Sequence, residues 1–145
     1  MEKFMTNMTT PKRDILVKLK TVLDKLDIPF YLCSETCLGY ARERDFIQND
    51  NNISLGIHIS DYSTKLIDAL NDVGIKLYTF DNNNNKLIFL YEQTQINIVI
   101  SDDKDELKEI NFLGLPLNIP HPVENYLINL YGQNWRIPND LKEFI

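Results

Sequence analysis

Residues 30–61 read FYLCSETCLGYARERDFIQNDNNISLGIHISD, and this segment is the most informative part of the chain for its architecture. The apolar start at 30–33 predicts a short buried strand, and the segment at 36–43 predicts a short helix. A polar loop at 49–52 then leads into a second strand at 53–59. A strand, a turn, a helix and a second strand in this order predict a mixed α/β domain.

The second strand has two chemically different faces, because side chains alternate across a strand. One face is expected to carry the apolar residues Ile53, Leu55, Ile57 and Ile59. The other face is expected to carry Asn52, Ser54, Gly56 and His58. The first face therefore predicts contact with the core, and the second predicts a position at a cleft.

Apolar periodicity and turn residues predict the remaining elements. An amphipathic helix is expected at 11–26, with Thr10 as its cap and Pro11 at its first position. Ser60 and Asp61 are expected to cap a helix that Gly74 closes. The other expected elements are strands at 76–80, 86–91 and 96–100, an asparagine-rich hairpin tip at 81–85, a solvated acidic segment at 101–108, a small hairpin at 110–117 and a helix at 122–131.

Length and composition favour one domain, since 145 residues are enough for a single core and too few for two. A net charge of −6 lacks the positive surface that nucleic-acid binding needs. No apolar run approaches the roughly 20 residues of a membrane span, and the first residues do not resemble a signal peptide. We expect a cytoplasmic protein whose partners are neither nucleic acids nor membranes.

Cys33 and Cys37 are the two cysteines of the chain. They could form a metal-binding or redox pair, but no further cysteine or nearby histidine completes a ligand set. We interpret them as buried free thiols of a reducing compartment.

Two segments carry a family resemblance. LCSETCLGYAR at 32–42 and DFIQNDNNISLG at 45–56 resemble the LicD and fukutin group of nucleotidyltransferase-fold proteins, whose segment runs LSGGTLLG…R…GFIPWDDDIDIG. PHPVENYLINLYGQNWRIP at 120–138 is similar to the closing helix and tail of that group. The resemblance implies a mixed β-sheet flanked by helices, and a relationship to proteins that handle phosphocholine or ribitol phosphate on glycans.

The metal-binding carboxylates of that group fall on neutral residues here. Its Asp-x-Asp pair falls on Asn52 and Ser54, and its third carboxylate falls on Asn97. Transfer in this fold uses two divalent ions held by carboxylates, which stabilise charge on the attacking and leaving oxygens. Losing three negative charges predicts that metal-dependent transfer is abolished, so we expect no metal and no cofactor.

The phosphate-binding turn of the group is also altered. Its Gly-Gly pair, which lets the backbone approach phosphate oxygens, falls on Ser34 and Glu35. Glu35 is expected to turn to solvent at the start of a helix, where the helix dipole favours a carboxylate; otherwise it faces the place of a triphosphate. Arg42 follows the LG-x-x-R element and either completes a vestigial anion site with Ser34 and Glu35 or pairs with Glu43 or Asp45.

A rewired acidic site is the alternative. Asp50 keeps the first acid of the family's run, and with Glu35 and His58 it could hold Mg²⁺ for an active transferase. His58 on a strand is otherwise a hydrogen-bonded structural residue, and His121 between two prolines is expected in a loop. Trp135, Tyr126 and Tyr131 have the spacing of packing residues.

These observations give one preferred hypothesis and one competitor. The preferred hypothesis is a catalytically degenerate nucleotidyltransferase-like domain that binds a protein or a small anionic ligand. The competitor is an active, metal-dependent transferase that uses relocated acids.

Overall fold

A computed structural model describes residues 10–103 and 106–138 of the chain. This part of the chain contains four α-helices, a five-stranded sheet and a two-stranded hairpin. The elements in chain order are α1 Lys12–Lys25, β1 Tyr31–Leu32, α2 Ser34–Glu43, β2 Asn52–His58, α3 Lys65–Asp72, β3 Lys76–Asp81, β4 Lys86–Tyr91, β5 Thr94–Ser101, β6 Glu106–Phe112, β7 Leu115–His121 and α4 Val123–Tyr131. The expected mixed α/β fold is confirmed.

The five-stranded sheet has the order β1-β2-β5-β4-β3. β2 and β5 are parallel neighbours, whereas β1 with β2, β4 with β5, and β3 with β4 are antiparallel pairs. A 3₁₀ turn at Ile59–Asp61, α3 and the hairpin β3–β4 connect the two central strands. This crossover places β2 and β5 side by side although about forty residues separate them in the chain.

One face of the sheet, which we call the core face, carries fully buried apolar side chains. Its members on the two central strands are Ile53, Leu55, Ile57, Ile96 and Ile98. They lie in one hydrophobic cluster with buried residues of α1 and α3. The helical spacing of α1 places its apolar side chains on one stripe, and this stripe is buried in the same cluster.

The hairpin β6–β7 and α4 extend the core beyond β1. β7 contacts both β1 and α4. Phe112 of β6 packs edge-on against Phe46, with ring centroids 5.1 Å apart. The loop that carries Phe46 passes directly over α2, where a Cβ on Gly39 would lie 2.4 Å from the carbonyl oxygen of Asp45. Only glycine allows this close approach, so Gly39 lets α2 pack directly against the loop that follows it.

Several expected boundaries need correction. Pro11 rather than Thr10 is the N-cap of α1, because both the backbone N–H and the hydroxyl of Thr10 donate to the Glu92 carboxylate. Ile59 is 57% exposed in the 3₁₀ turn and does not continue the apolar face of β2.

Further corrections concern α3, the hairpin and the end of the chain. Ser60 and Asp61 belong to the 3₁₀ turn, and α3 begins later at Lys65. The segment expected to be a solvated acidic stretch includes the start of β6, while residues 104–105 lie outside the described part. His121 ends β7 instead of lying in a loop. The tail at 139–145 also lies outside the described residues.

No helix among residues 10–103 and 106–138 has both the length and the apolar character to cross a bilayer.

Candidate functional site at the ends of β2 and β5

The parallel register of β2 and β5 brings two of the three neutral positions together. Ser54 lies opposite Asn97, and both side chains are buried on the face of the sheet that opposes the core face. Ser54 is 2% exposed and Asn97 is 5% exposed. Two polar side chains at this depth must find hydrogen-bond partners, because an unmade bond in the interior is costly.

These partners come from one another and from α2. The Asn97 amide nitrogen Nδ2 donates to Ser54 Oγ at 3.2 Å. Ser54 Oγ donates in turn to the carboxylate oxygen Oε1 of Glu35. Gln95 Nε2 donates to Asn97 Oδ1 at 2.9 Å, which fixes the amide so that its N–H group faces Ser54. We call Glu35, Ser54, Asn97 and Gln95 the polar chain of the site.

The polar chain has direct consequences for cation binding. A cation needs oxygen lone pairs directed at it, whereas Asn97 presents an N–H group to Ser54. Ser54 already accepts one hydrogen bond and donates another. Its backbone N–H donates to Thr36 Oγ1 at 2.8 Å, so α2 holds the strand as well as the side chain. The expectation that Glu35 turns to solvent is wrong, because its carboxylate accepts a hydrogen bond from the buried hydroxyl of Ser54.

Asn52, the third neutral position, has a partner of its own. Asp50 Oδ1 accepts both from the Asn52 backbone N–H at 3.0 Å and from Asn52 Nδ2 at 2.8 Å. The Lys12 ammonium donates to the carbonyl oxygen of Asp50, and burial lowers the pKa of Lys12 against the opposing effect of the Asp50 and Asp45 charges. Asp50 therefore organises the loop that enters β2.

The first residue of α2 has a backbone conformation that favours glycine. Ser34 has a φ of +48°, which lies in the left-handed region, and the family resemblance aligns Ser34 with the first glycine of the Gly-Gly pair. The Ser34 backbone N–H donates to the hydroxyl of Tyr126 at 2.8 Å. This N–H, which a phosphate-binding turn would offer to an anion, is already used by α4.

A cleft of about 720 Å³ lies beside the polar chain. Three carboxylates line it, from Glu35, Glu43 and Asp50, together with the guanidinium of Arg42 and the ring of Tyr131. Arg42 Nε pairs with Glu43 Oε2 at 3.3 Å. This is the expected pairing with a neighbouring carboxylate, which is the alternative to an anion site. The lining of the cleft is thus predominantly negative.

His58 is not part of this arrangement. Its Nδ1 accepts from the backbone N–H of Ser60 at 3.1 Å and lies 2.7 Å from the Ser60 hydroxyl. The described residues contain no group of three or more histidine, cysteine, aspartate and glutamate side chains that could hold a metal ion. Glu35 and Asp50 line the same cleft, but His58 does not join them.

The two cysteines are free and buried, as the sequence predicts. Burial raises the pKa of the Cys37 thiol to about 12, and it also raises the pKa of Cys33. Burial likewise raises the pKa values of Tyr126 and Tyr131, which pack against the core. Thiols that stay protonated are poor nucleophiles and poor metal ligands.

Sequence reasoning missed Gln95 and Thr36. Gln95 lies two residues before Asn97 on the same strand, so the period of a strand could have placed it on the same face. Thr36 follows Glu35 in a helix, and nothing in its sequence context indicates that its hydroxyl reaches β2.

Comparisons with known proteins give relatives and structural neighbours. No family model matches the chain. It is 27% identical to the ribitol-5-phosphate transferase FKTN of Homo sapiens and 26% identical to those of Macaca fascicularis and Mus musculus, over 87% of the chain. The match covers 33% of each relative, so the chain spans about a third of the length of the curated relatives it matches. The similarity supports a relationship to the fukutin-like group.

The solved structures with a similar fold include the antibiotic-resistance factor ANT(2″)-Ia. Its solution structure matches 94% of this chain and 81% of its own with a TM-score of 0.64, at 12% sequence identity. Its crystal structure in complex with adenylyl-2″-tobramycin matches 92% of this chain and 85% of its own with a TM-score of 0.63, at 11% identity. The expected nucleotidyltransferase-like fold is therefore confirmed.

Proposed function

We propose that this chain is a binding domain that keeps a nucleotidyltransferase-like fold but does not carry out metal-dependent transfer. The observation that supports this proposal is the polar chain itself. Ser54 and Asn97 are neutral, and their hydrogen-bonding groups are directed at one another and at Glu35. In an active site of this type, the same positions would direct carboxylate oxygens at two divalent ions.

The charge of the cleft favours one class of ligand. Glu35, Glu43 and Asp50 exceed the single positive charge of Arg42 in its lining. A basic segment of a protein partner complements this surface, and opposite charges also accelerate the encounter of the two molecules. The small anionic ligand expected from the sequence is the competing ligand class, and it would have to use Arg42 against three carboxylates.

The proposal is tested by restoring the missing charges. The triple variant Asn52→Asp, Ser54→Asp and Asn97→Asp and the wild-type chain are titrated calorimetrically with Mn²⁺, with and without nucleoside triphosphates. We expect no metal-dependent binding to the wild type and saturable Mn²⁺ binding to the variant. Metal-dependent nucleotide binding to the wild type would overturn the proposal.

A matched control separates a restored site from added charge. Asn71→Asp, Asn83→Asp and Asn129→Asp together add the same three charges at exposed residues of separate elements. We expect this control to bind Mn²⁺ no better than the wild type. A triple variant that behaves like the control would show that Asn52, Ser54 and Asn97 do not occupy the metal-binding positions.

One observation favours an active transferase as a second candidate. Glu35 and Asp50 line the same cleft, so relocated acids have access to a common ligand. In this case, the wild-type chain with Mg²⁺ and CDP-linked donors should give product, and Asp50→Asn should abolish turnover. Turnover that Asp50→Asn leaves unchanged would exclude this role for Asp50.

The ligand class is tested separately with two probes on the wild-type chain. A short lysine-rich peptide should bind with an affinity that falls as salt is added, because the interaction is electrostatic. Inorganic phosphate should not compete with it. Saturable phosphate binding that Arg42→Gln abolishes would instead favour the anionic ligand.

A further inference from the structure

A second cavity, of about 400 Å³, lies beside the opposite face of α2 from the cleft. Arg42 of α2 lines the cleft, whereas Tyr40 of α2 and Arg44, the residue after the helix, line this cavity. At 3.6 residues per turn, Arg42 and Tyr40 lie about 160° apart around the helix. The hairpin β6–β7 and the segment after α4 complete the walls. The cavity shares no lining residue with the cleft and none with the polar chain.

The cavity is basic in a protein that is acidic overall. Arg44, Lys108 and Arg136 come from three separate segments and line it together, whereas Glu124 is its one carboxylate. The whole chain carries a net charge of −6. Convergence of cations against the average charge of a surface is the electrostatic pattern of an anion site.

These cations keep donors available for a ligand. The Lys108 ammonium group has no ion-pair or hydrogen-bond partner within residues 10–103 and 106–138. Arg44 uses Nη1 for the carbonyl oxygens of Tyr40 and Ala41, so Nε and Nη2 remain. Arg136 and Glu124 are 3.9 Å apart and both are more than half exposed, which makes their pairing weak.

The inner wall of the cavity is apolar and contains an unsatisfied donor. Ile119 and Trp135 line it and are each 3% exposed. The indole Nε1 of Trp135 is buried and has no acceptor in the described part of the chain. A buried donor without a partner carries an uncompensated desolvation cost. The guanidinium of Arg136 lies over the Trp135 ring, 4.2 Å from its centroid.

We propose that this cavity is a binding site for a small organic phosphate. The phosphate group is held among Arg44, Lys108 and Arg136, since guanidinium and ammonium groups form charge-assisted hydrogen bonds to phosphate oxygens. The body of the ligand packs against Trp135 and Ile119. The volume of about 400 Å³ lies in the range of small-molecule sites.

Trp135 is the only tryptophan of the chain, so its fluorescence reports on this wall directly. The wild-type chain is titrated with phenyl phosphate, with phenol as the neutral probe of the same ring. We expect a saturable change in the tryptophan emission with phenyl phosphate and a much weaker response to phenol. No saturable change, or an equal response to both probes, would overturn the proposal.

Substitutions of charged residues that line the cavity should change the affinity for phenyl phosphate in opposite directions. Lys108→Gln should weaken phenyl phosphate binding about tenfold, because it removes one bond to a charged group. Glu124→Gln should strengthen binding, because it removes the one carboxylate of the lining. Lys65→Gln on α3, which lies outside the cavity, should leave the affinity unchanged.

Three outcomes of these titrations would contradict the site. They are unchanged binding in Lys108→Gln, weaker binding in Glu124→Gln, and an equal loss in Lys65→Gln. Thermal unfolding of each variant separates a lost site from a lost fold, since only variants that unfold like the wild type are compared. The result is independent of the binding-domain proposal, which concerns the cleft on the opposite face of α2.

Discussion

The two faces of the central strands β2 and β5 differ in polarity: one is apolar and the other is polar. Every second residue points to the core face, where Ile53, Leu55 and Ile98 are fully buried in an apolar cluster. The residues between them point to the opposite face, where Ser54 and Asn97 meet Glu35 in the polar chain. One set of side chains thus forms the core, and the other set forms the candidate site.

This separation means that the fold does not require charged side chains at positions 54 and 97. Most of the stability comes from apolar burial on the core face, to which Ser54 and Asn97 do not contribute. The opposite face then has to satisfy its own polar groups, and neutral residues that bond to one another do so without a bound ion. The resemblance to nucleotidyltransferases and the neutral site are therefore compatible.

The largest expected effect belongs to the core face. Leu55→Ala, next to Ser54 on β2, should lower the free energy of unfolding by about 2–5 kcal/mol, because it removes buried methyl groups and leaves a cavity. Urea denaturation monitored by circular dichroism gives the value. Tyr78→Ala at a residue that is 70% exposed is the control and should change stability by less than about 0.5 kcal/mol. A small effect of Leu55→Ala would contradict the division between the faces.

Introducing charge into the polar chain should have the next largest effect. Asn97→Asp places a carboxyl group near Glu35 at a position that is 5% exposed, and an uncompensated buried charge costs about 3 kcal/mol. Burial raises the folded-state pKa of the introduced carboxyl group, so the penalty applies above its unfolded pKa of about 4 and disappears as the pH falls below that value. Urea denaturation at pH 7 and at pH 4 measures both parts.

The neutral variant Asn97→Ser is the control for this effect. It shortens the side chain without adding charge. Its free energy of unfolding, relative to the wild type, should therefore be the same at pH 4 as at pH 7. If both variants had the same pH dependence, the cost of Asn97→Asp would not be electrostatic.

The sequence predicts the core face well because its signal is local. Alternation in 53–57 and 96–98 identifies the apolar residues of the core face without knowledge of their neighbours. The family resemblance also brings Ser54 and Asn97 together, and the strand register confirms that they are opposite. Both successes depend on strand periodicity and on the order of elements along the chain.

The errors arise where long-range contacts override a local preference. Thr10 is a residue type that often caps helices, but its hydroxyl donates instead to the carboxylate of Glu92 in the β4–β5 connection. The helix dipole alone would leave Glu35 facing solvent, but a buried hydroxyl on β2 offers it a hydrogen bond. The basic cavity has no sequence signal at all, since Arg44, Lys108 and Arg136 meet only in the folded chain.

Removing a central member of the polar chain should cost less than adding a charge. Ser54→Ala leaves Asn97 Nδ2 and Glu35 Oε1 without their shared partner, and an unsatisfied buried group costs about 1–3 kcal/mol. Chemical denaturation gives the difference. Ser101→Ala, at a less buried position on β5, is the control and should cost less, because the hydroxyl of Ser101 accepts only an exposed hydrogen bond from the backbone N–H of Asp103. Equal effects at the two serines would indicate that the polar chain adds nothing to stability.

Alkaline pH should act through buried groups that stay protonated in the folded state. Burial raises the pKa of Cys37 to about 12 and raises those of Cys33 and Tyr126. In the unfolded chain these groups have the ordinary pKa values of thiols and phenols, so they lose their protons first, at about pH 9–10. Stability should therefore fall as the pH rises above about 9, by about 1.4 kcal/mol per pH unit for each group that has ionised in the unfolded chain alone.

Guanidinium denaturation between pH 7 and pH 11 measures this slope. Cys37→Ala removes one of the groups and should make the slope shallower, whatever it does to the stability at pH 7. A slope unchanged by this substitution would show that Cys37 is not held protonated by the fold.

The smallest expected effect tests the left-handed backbone of Ser34 at the start of α2. Ser34 adopts a φ of +48°, which costs a residue with a Cβ about 1–2 kcal/mol, whereas glycine has more freedom to lose on folding, by about 0.5–1 kcal/mol. Ser34→Gly should therefore stabilise the chain by about 0.5–1 kcal/mol, read from its thermal midpoint. Ser34→Ala keeps the Cβ and should give no such gain. If Ser34→Gly and Ser34→Ala changed the thermal midpoint equally, the left-handed φ of residue 34 would not favour glycine.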